Sequence, residues 1–269
     1  MAQRYKKEIS EEIPEVDAIL GTTSYGDISK AVKEAQAGRH FEEYKSIDFL
    51  PDISGKRMLT TGGHFAYLKI AEGCSNRCSY CAIPDIRGPL QSRPIEDILR
   101  EARSLVLSGA RELIVIAQDT TYYGLDLYGK RRLAELLRRL CRIDGIEWIR
   151  LHYAYPAAFP ADVIDTMASE PKICKYLDIP FQHISDAQLS AMHRRHTKAE
   201  AYALVKKLRG AIPDLALRTT LLVGYPGETE ADFTELEQFV RDVRFERLGV
   251  FAYSCLLYTS DAADDLTRV

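Results

Sequence analysis

Ala66-Tyr67-Leu68-Lys69-Ile70-Ala71-Glu72-Gly73-Cys74-Ser75-Asn76-Arg77-Cys78-Ser79-Tyr80-Cys81 is the stretch on which the architecture turns. Ala66–Ile70 reads as a short apolar strand, and it runs straight into a loop carrying three cysteines. Ile95, Ile98, Leu99, Ala102, Leu105 and Val106 then recur at helical spacing. Leu113–Ala117 predicts a buried strand, and Leu133, Leu136, Leu137 and Leu140 a second helical stripe. Trp148–Tyr153 (strand), Ala161–Ala168 (helix) and Tyr176–Ile179 (strand) continue the alternation. Ser185 with Gln188 has the form of a capping box opening a helix. Ala201, Leu204, Val205 and Leu208 mark the next helix, and Leu217–Val223 the next strand. Thr229 with Asp232 opens a helix through Phe233, Leu236 and Val240, and Leu248–Tyr253 is the last strand. Strands apolar on both faces belong in a parallel sheet covered by helices. Six such units are too few for a closed eight-fold barrel, so the expectation is an α/β fold, an open six-stranded (βα)6 partial barrel. By analogy with closed barrels its chemistry belongs at the C-terminal ends of the strands.

Upstream, residues 1–45 predict a short helix, a strand at Val16–Leu20 and a helix from about Asp27 to Gln36, too little to bury a core alone. Residues 46–64 lack periodicity, contain Pro51, Gly55, Gly62 and Gly63, and read as a linker. The whole chain has 269 residues, 36 Lys plus Arg against 39 Asp plus Glu, and a formal charge of −3. That balance is one of a soluble globular protein. No apolar run approaches the ~20 residues that cross a bilayer, and the charged N-terminus is no secretory signal. No nucleic-acid site is evident. Three of the six cysteines fall between Cys74 and Cys81, and the others stand alone at 141, 174 and 255. Such clustering suits a metal site in a reducing compartment, the cytoplasm, rather than a disulfide framework.

The spacing Cys74-x3-Cys78-x2-Cys81 carries the chemistry. Thiolates hold iron–sulfur clusters, and a typical [4Fe–4S] cluster takes four. Three close ligands with no fourth nearby leave one iron open, as a reactive centre requires. The other reading is a zinc knuckle with a fourth ligand from elsewhere, such as His64. Zinc sites usually pair C-x2-C motifs at two places, and only Cys78 and Cys81 have that spacing here.

A C-x3-C-x2-C triplet after the first strand of a six-fold partial barrel resembles the radical S-adenosylmethionine (SAM) superfamily. The resemblance implies that the open iron chelates the amino and carboxylate groups of SAM. One electron, from an external donor, then cleaves the sulfonium to methionine and a 5′-deoxyadenosyl radical that abstracts hydrogen. It also places Tyr80 against the adenine; the alternative is a surface-loop tyrosine. Glu72-Gly73-Cys74, Ile83-Pro84, Arg87-Gly88, Ser92-Arg93-Pro94, Ile179-Pro180-Phe181-Gln182 and Val223-Gly224-Tyr225-Pro226-Gly227-Glu228-Thr229 are similar to the methylthiotransferases. Gln118-Asp119-Thr120-Thr121-Tyr122-Tyr123-Gly124 and Gln182-His183-Ile184-Ser185-Asp186 resemble their RimO branch, not the tRNA-modifying MiaB branch. The RimO branch adds a methylthio group to the β-carbon of an aspartate in a small-subunit ribosomal protein. A MiaB-type activity and a non-catalytic metal-binding module remain the alternatives.

The remaining candidates are weighed one by one. Gln118 and Asp119 end the second strand and are placed to hold the cofactor's amino group; otherwise they cap a loop. Gln182 and His183 end the fourth strand, where the histidine is equally well a satisfied structural one. Arg218 is read as pairing with a carboxylate, at the site or in a surface ion pair. Gly224 and Gly227 permit a tight turn close to a ligand. Phe251 and Tyr253 pack beside the adenine or belong to plain core. Cys141 and Cys174 read as small buried hydrophobes, and His193-Arg194-Arg195-His196 as a solvated basic run.

Methylthiotransferases carry an N-terminal domain whose three further cysteines hold a second [4Fe–4S] cluster, and this chain has no cysteine before Cys74. Residues 1–45 resemble the tail end of that domain, and residues 65–254 the radical SAM core. Cys255–Asp264 resembles a transposase-type sequencing adapter read in frame, so residues 255–269 are expected to be a non-native tail. The expectation is a fragment that binds one cluster but cannot complete the full reaction.

Overall fold

The computed structural model describes residues 2, 5–48, 59 and 62–254. The expected tail at 255–269, and most of the expected linker at 46–64, lie outside them. The N-terminal part consists of α1 (Lys6–Glu12), β1 (Ala18–Leu20), α2 (Ile28–Gln36) and β2 (Phe41–Glu43). β1 and β2 pair in parallel. The second strand escaped the sequence reading because its Phe-Glu-Glu is half-buried throughout and shows no alternation. Among the described residues of this part, the buried apolar side chains are Ile19 and Ala31, which is little core.

The main unit follows as β3 (Phe65–Lys69), β4 (Ala71–Glu72), α3 (Ile83–Arg87), β5 (Gln91–Ser92), α4 (Ile95–Leu107), β6 (Glu112–Ile116), α5 (Leu125–Tyr128) and α6 (Leu133–Cys141). It continues with β7 (Trp148–Leu151), α7 (Ala161–Ser169), β8 (Ile173–Asp178), α8 (Asp186–Ala191), α9 (Lys198–Ala211), β9 (Ala216–Val223), α10 (Glu230–Val243) and β10 (Arg247–Ala252). The six-stranded sheet runs β10-β9-β8-β7-β6-β3, all parallel, in chain order. Successive crossovers of one hand in one direction put the helices on one face and curl the sheet. β3 and β10 are its two ends, so the barrel is open, as the sequence led one to expect.

Alternation along the strands sorts residues between two very different faces. Leu68, Leu113, Val115, Ile149, Leu151, Leu177, Leu217 and Leu221 face the helices and join Ile98, Leu99, Leu136, Leu137 and Leu140 in one core. The intervening residues line the concave face and are largely polar. There Arg150 Nε donates to Glu112 at 2.7 Å, and Arg218 Nη1 to Asp178 at 2.8 Å. His152 lies 5.5 Å from the Tyr176 ring. Cys174 sits half-buried on this face, not in the core as expected.

Of the two helix caps read from the sequence, one forms and the other does not. The Thr229–Asp232 box opens α10 as read, and Thr197 with Glu200 forms a second box at α9. Ser185 stands at the N-cap of α8 but caps nothing with its side chain, because its hydroxyl is drawn to Asp232 instead. Thr197→Ala is expected to lower stability by about 1 kcal/mol, measured as a shift in urea midpoint. Ser185→Ala is expected to act through Asp232 and α10 rather than through α8.

Candidate functional site

The triplet loop is held at both ends. β4 and β5 pair antiparallel, Ala71 opposite Ser92 and Glu72 opposite Gln91, which closes the segment between them. Cys74 N donates to Gly88 O at 3.1 Å, and Leu90 N to Ser75 Oγ at 3.1 Å. Gly73 lets the chain enter this turn: its φ is +71°, and a Cβ there would stand 2.1 Å from Pro89 O. Helix α3, with Pro84 in its first turn, follows directly.

Cys74, Cys78 and Cys81 all line one cavity of about 80 Å³, together with Asn76, Tyr80, Gln118, Tyr153, Tyr155, Gln182 and Arg194. It sits where the loops after β3, β6, β7 and β8 meet, at the C-terminal ends of the strands. A larger cavity between α4 and α6 lies on the far side of the helical layer and carries no cysteine of the triplet.

The donors that reach the thiols were not foreseen. Asn76 Nδ2 donates to Cys74 Sγ at 3.5 Å and to Asp119 Oδ2 at 2.8 Å. Asp119 also accepts from Thr121 N at 2.9 Å and Thr121 Oγ1 at 2.7 Å. The buried Asp119 carboxylate therefore fixes the loop rather than lining the cavity, and burial raises its pKa against those hydrogen bonds. Arg194 Nη1 lies 3.7 Å from Cys78 Sγ and 3.3 Å from Tyr80 Oη. Burial pushes the free Cys74 thiol up to about 11, and a bound metal supplies the positive charge that removes such a proton.

Several expectations are corrected here. Arg194 and His196 of the supposed solvated run are buried, at 8% and 5% exposure. Tyr80 is no surface residue, at 6% exposure, and packs with Met192 and Leu222. His64 cannot serve the triplet. Its carbonyl accepts from Arg111 N and Glu112 N before β3 begins, and five strand residues at about 3.3 Å each separate it from the loop. The zinc reading with that ligand therefore falls. Among the described residues no three His, Cys, Asp or Glu converge on one ion. Thiols of a cluster surround a void instead of meeting at a point, each on its own iron.

The glutamines are brought to the cavity as expected. Gln118 Nε2 donates to Glu72 at 3.0 Å, leaving its Oε1 buried with no partner. Gln182, held at φ +68°, likewise buries an unpartnered Oε1. Orphaned acceptors inside a cavity are the positions a ligand's N–H or O–H groups would satisfy. Its neighbour His183 is structural: Nδ1 accepts from Ser185 N at 3.0 Å, so Nε2–H points to Glu228 at 3.0 Å. Arg218 lies below the cavity, paired with buried Asp178 rather than in a surface ion pair. Phe251 packs on the Tyr80–Met192–Leu222 group. Gly224 (φ +74°) turns the chain after β9 without lining the cavity.

A half-buried histidine, His152, and a buried one, His196, make stability depend on pH. Burial, with Arg150 and Arg218 nearby, pulls His152 down to about 4, and burial with Arg194 pulls His196 down to about 3, from an ordinary 6.5. The unfolded chain binds protons that the folded chain refuses between those values, so stability falls as pH drops below about 6.5. The urea midpoint is expected to decline from pH 7 to 5, with a shallower slope in His196→Asn. Equal slopes would remove His196 from the account.

The matched family model is the Radical SAM superfamily, over residues 68–240. Among curated proteins, the chain is 55% identical to the ribosomal protein uS12 methylthiotransferase RimO of Lachnoclostridium phytofermentans, over 94% of this chain and 58% of that protein. It is 49% identical to that of Flavobacterium johnsoniae, over 100% of this chain and 60% of the relative. The chain thus spans somewhat more than half the length of these relatives. Among solved structures it resembles the radical SAM methyltransferase TsrM of Kitasatospora setae (TM-score 0.59, 20% identity, 70% of this chain and 36% of that one). It also resembles the coproporphyrinogen III oxidase HemN of Escherichia coli (TM-score 0.53, 18% identity, 73% and 46%). These two likenesses concern the fold, and they agree with the open parallel barrel. The chain belongs to the radical SAM superfamily.

Proposed function

We propose that this chain is the catalytic part of a RimO-type methylthiotransferase, whose substrate is an aspartate β-carbon of the small-subunit ribosomal protein uS12. The observation that carries the reading is one cavity, at the C-terminal ends of the strands, lined by three cysteines of one loop and two unpartnered glutamine oxygens. Sequence identity of 49–55% to curated RimO proteins supports the choice of branch. Residues 65–254 form the unit that carries it.

The residues present fit the implied groups: thiols facing a void, N–H donors aimed at two of them, and orphaned acceptors beside them. Cys74, Cys78 and Cys81 would hold a [4Fe–4S] cluster, and Gln118 and Gln182 the polar end of SAM. Together these groups supply one-electron chemistry able to remove hydrogen from an unactivated carbon. The protein's share is placement and exclusion of water. Asp119 and Asn76 fix the loop, and Tyr80, Tyr153 and Tyr155 wall the cavity. The polar concave face beneath it, with Arg150, His152 and Arg218, offers hydrogen bonds to an entering peptide side chain. Sulfur insertion by the whole protein would use a second cluster, whose ligands are not among the six cysteines here. An external electron donor and a cytoplasmic setting follow from the reading. Among the described residues no helix is long and apolar enough to cross a membrane.

Anoxic reconstitution with iron and sulfide tests the reading. A brown protein that forms 5′-deoxyadenosine from SAM only with reductant is expected. A colourless protein holding one zinc would sink the reading. Gln182→Ala is expected to weaken SAM binding by about tenfold to a hundredfold, because a buried hydrogen bond to a charged group contributes about 1.5–3 kcal/mol; calorimetry on the loaded chain measures it.

A further inference from the structure

Arg194 has a charge with no counter-charge. The residue is 8% exposed. Nη2 donates to Pro180 O, Nη1 to Tyr80 Oη at 3.3 Å and toward Cys78 Sγ at 3.7 Å, and Nε is buried without a partner. The guanidinium also lies 4.4 Å from the centre of the Tyr155 ring. Among the described residues no carboxylate forms an ion pair with it, whereas Arg150, Arg209 and Arg218 each have one. A buried, unpaired cation is costly, and proteins keep one where something negative arrives to meet it. Arg194 is held in place by a short, unusual approach: His193 before it adopts φ +55°, and Arg194 N bonds back to Leu189 O at 2.8 Å at the end of α8. Backbone strain spent beside a cavity is a mark of positioning.

We infer that Arg194 is the built-in counter-cation of the site, its guanidinium set against Cys78 to balance the negative charge of a three-thiolate cluster. The inference rests on the reading that the triplet holds that cluster. Two consequences follow from one fixed positive charge. Loading the cluster stabilises the fold more than it would without Arg194, because loading supplies the missing partner. The reduced cluster, one electron more negative, is favoured over the oxidised one, so the reduction potential is higher than it would be without this charge. Arg194 is a positioning and tuning residue here, acting through Cys78 rather than on substrate.

The test uses the full chain as wild type, Arg194→Met and Arg194→Lys, each measured before and after anoxic reconstitution. Iron and sulfide content, thermal midpoint and a spectroscopic redox titration with dithionite are read. The rise in midpoint on loading is expected to be clearly smaller in Arg194→Met than in wild type; structural damage common to both forms cancels in that difference. The reduction equilibrium of Arg194→Met is expected to shift at least about tenfold toward the oxidised form, about 59 mV for one electron, with Arg194→Lys restoring part of the shift. A loaded Arg194→Met with the wild-type potential and the wild-type gain on loading overturns the inference and leaves the triplet reading standing. Should Arg194→Met not fold, the neutral Arg194→Gln is read in its place, and a loaded Arg194→Gln with the wild-type potential and the wild-type gain on loading overturns the inference too. A wild-type chain that takes up no cluster overturns both.

Discussion

Serine in place of Cys74, Cys78 or Cys81, one at a time, is expected to cut iron and sulfide uptake by about a hundredfold or more, beyond the roughly 10–100-fold that loss of a mere outer partner causes. Visible absorbance and 5′-deoxyadenosine formation should go with it. Each thiol lines the same cavity, and the described surroundings offer no spare sulfur or imidazole to replace one. The controls lie within the same chain. Cys141 is buried on α6 at 7% exposure among leucines, and Cys174 lies on the concave face of β8, so serine at either should leave uptake intact. Wild-type iron content in a Cys78→Ser chain would dismiss the triplet as the ligand set, whatever the fold.

Among the described glycines with a stated Cβ environment, Gly73→Ala is expected to be the most damaging alanine substitution. The new Cβ would fall 2.1 Å from Pro89 O and 2.5 Å from Gly88 O, at a residue with φ +71°. Backbone oxygens of a clamped turn cannot rotate away as a long side chain can. Strain at positive φ costs on the order of 1 kcal/mol alone, and with the clash the loss should reach about 3–4 kcal/mol, the range of named severe mechanisms. Because the turn carries Cys74 into the cavity, cluster uptake should fall along with the urea midpoint. Gly224→Ala is the matched comparison: φ is +74°, but nothing lies within 4 Å of the added carbon. It should cost only about 1 kcal/mol and leave uptake unchanged. Equal midpoints for the two variants would show that the β4–β5 turn is softer than its hydrogen bonds suggest.

The strand–helix alternation was legible because it is a property of neighbours in sequence. Leu113, Val115, Ile149 and Leu151 announce buried strands, and Leu133, Leu136, Leu137 and Leu140 announce a helical face, before any contact is known. β2, α3 and the β4–β5 pair were missed since two to five residues are too short to show a period. Ser185 misled for a related reason: its sequence neighbour three residues on is right for a cap, yet Asp232 from a distant helix takes its hydroxyl.

The site divides along the same line. The triplet spacing, Gln118 and Gln182 could be named from the chain alone, because the chemistry of three close thiols and of polar residues at strand ends is local in sequence, whereas Tyr80 was named only through the family resemblance. Asn76 reaching Asp119 across 43 positions, Arg194 reaching Cys78 across 116, and the paired charges of the concave face are not. The residues His193–His196 looked solvated as a basic run, and only folding of the loop after α8 turned two of them inward. Sequence determines which groups exist and at what period they recur. Which charge ends up buried without a partner depends on distances between segments far apart in the chain, and those are decided when the six strands close around the cavity.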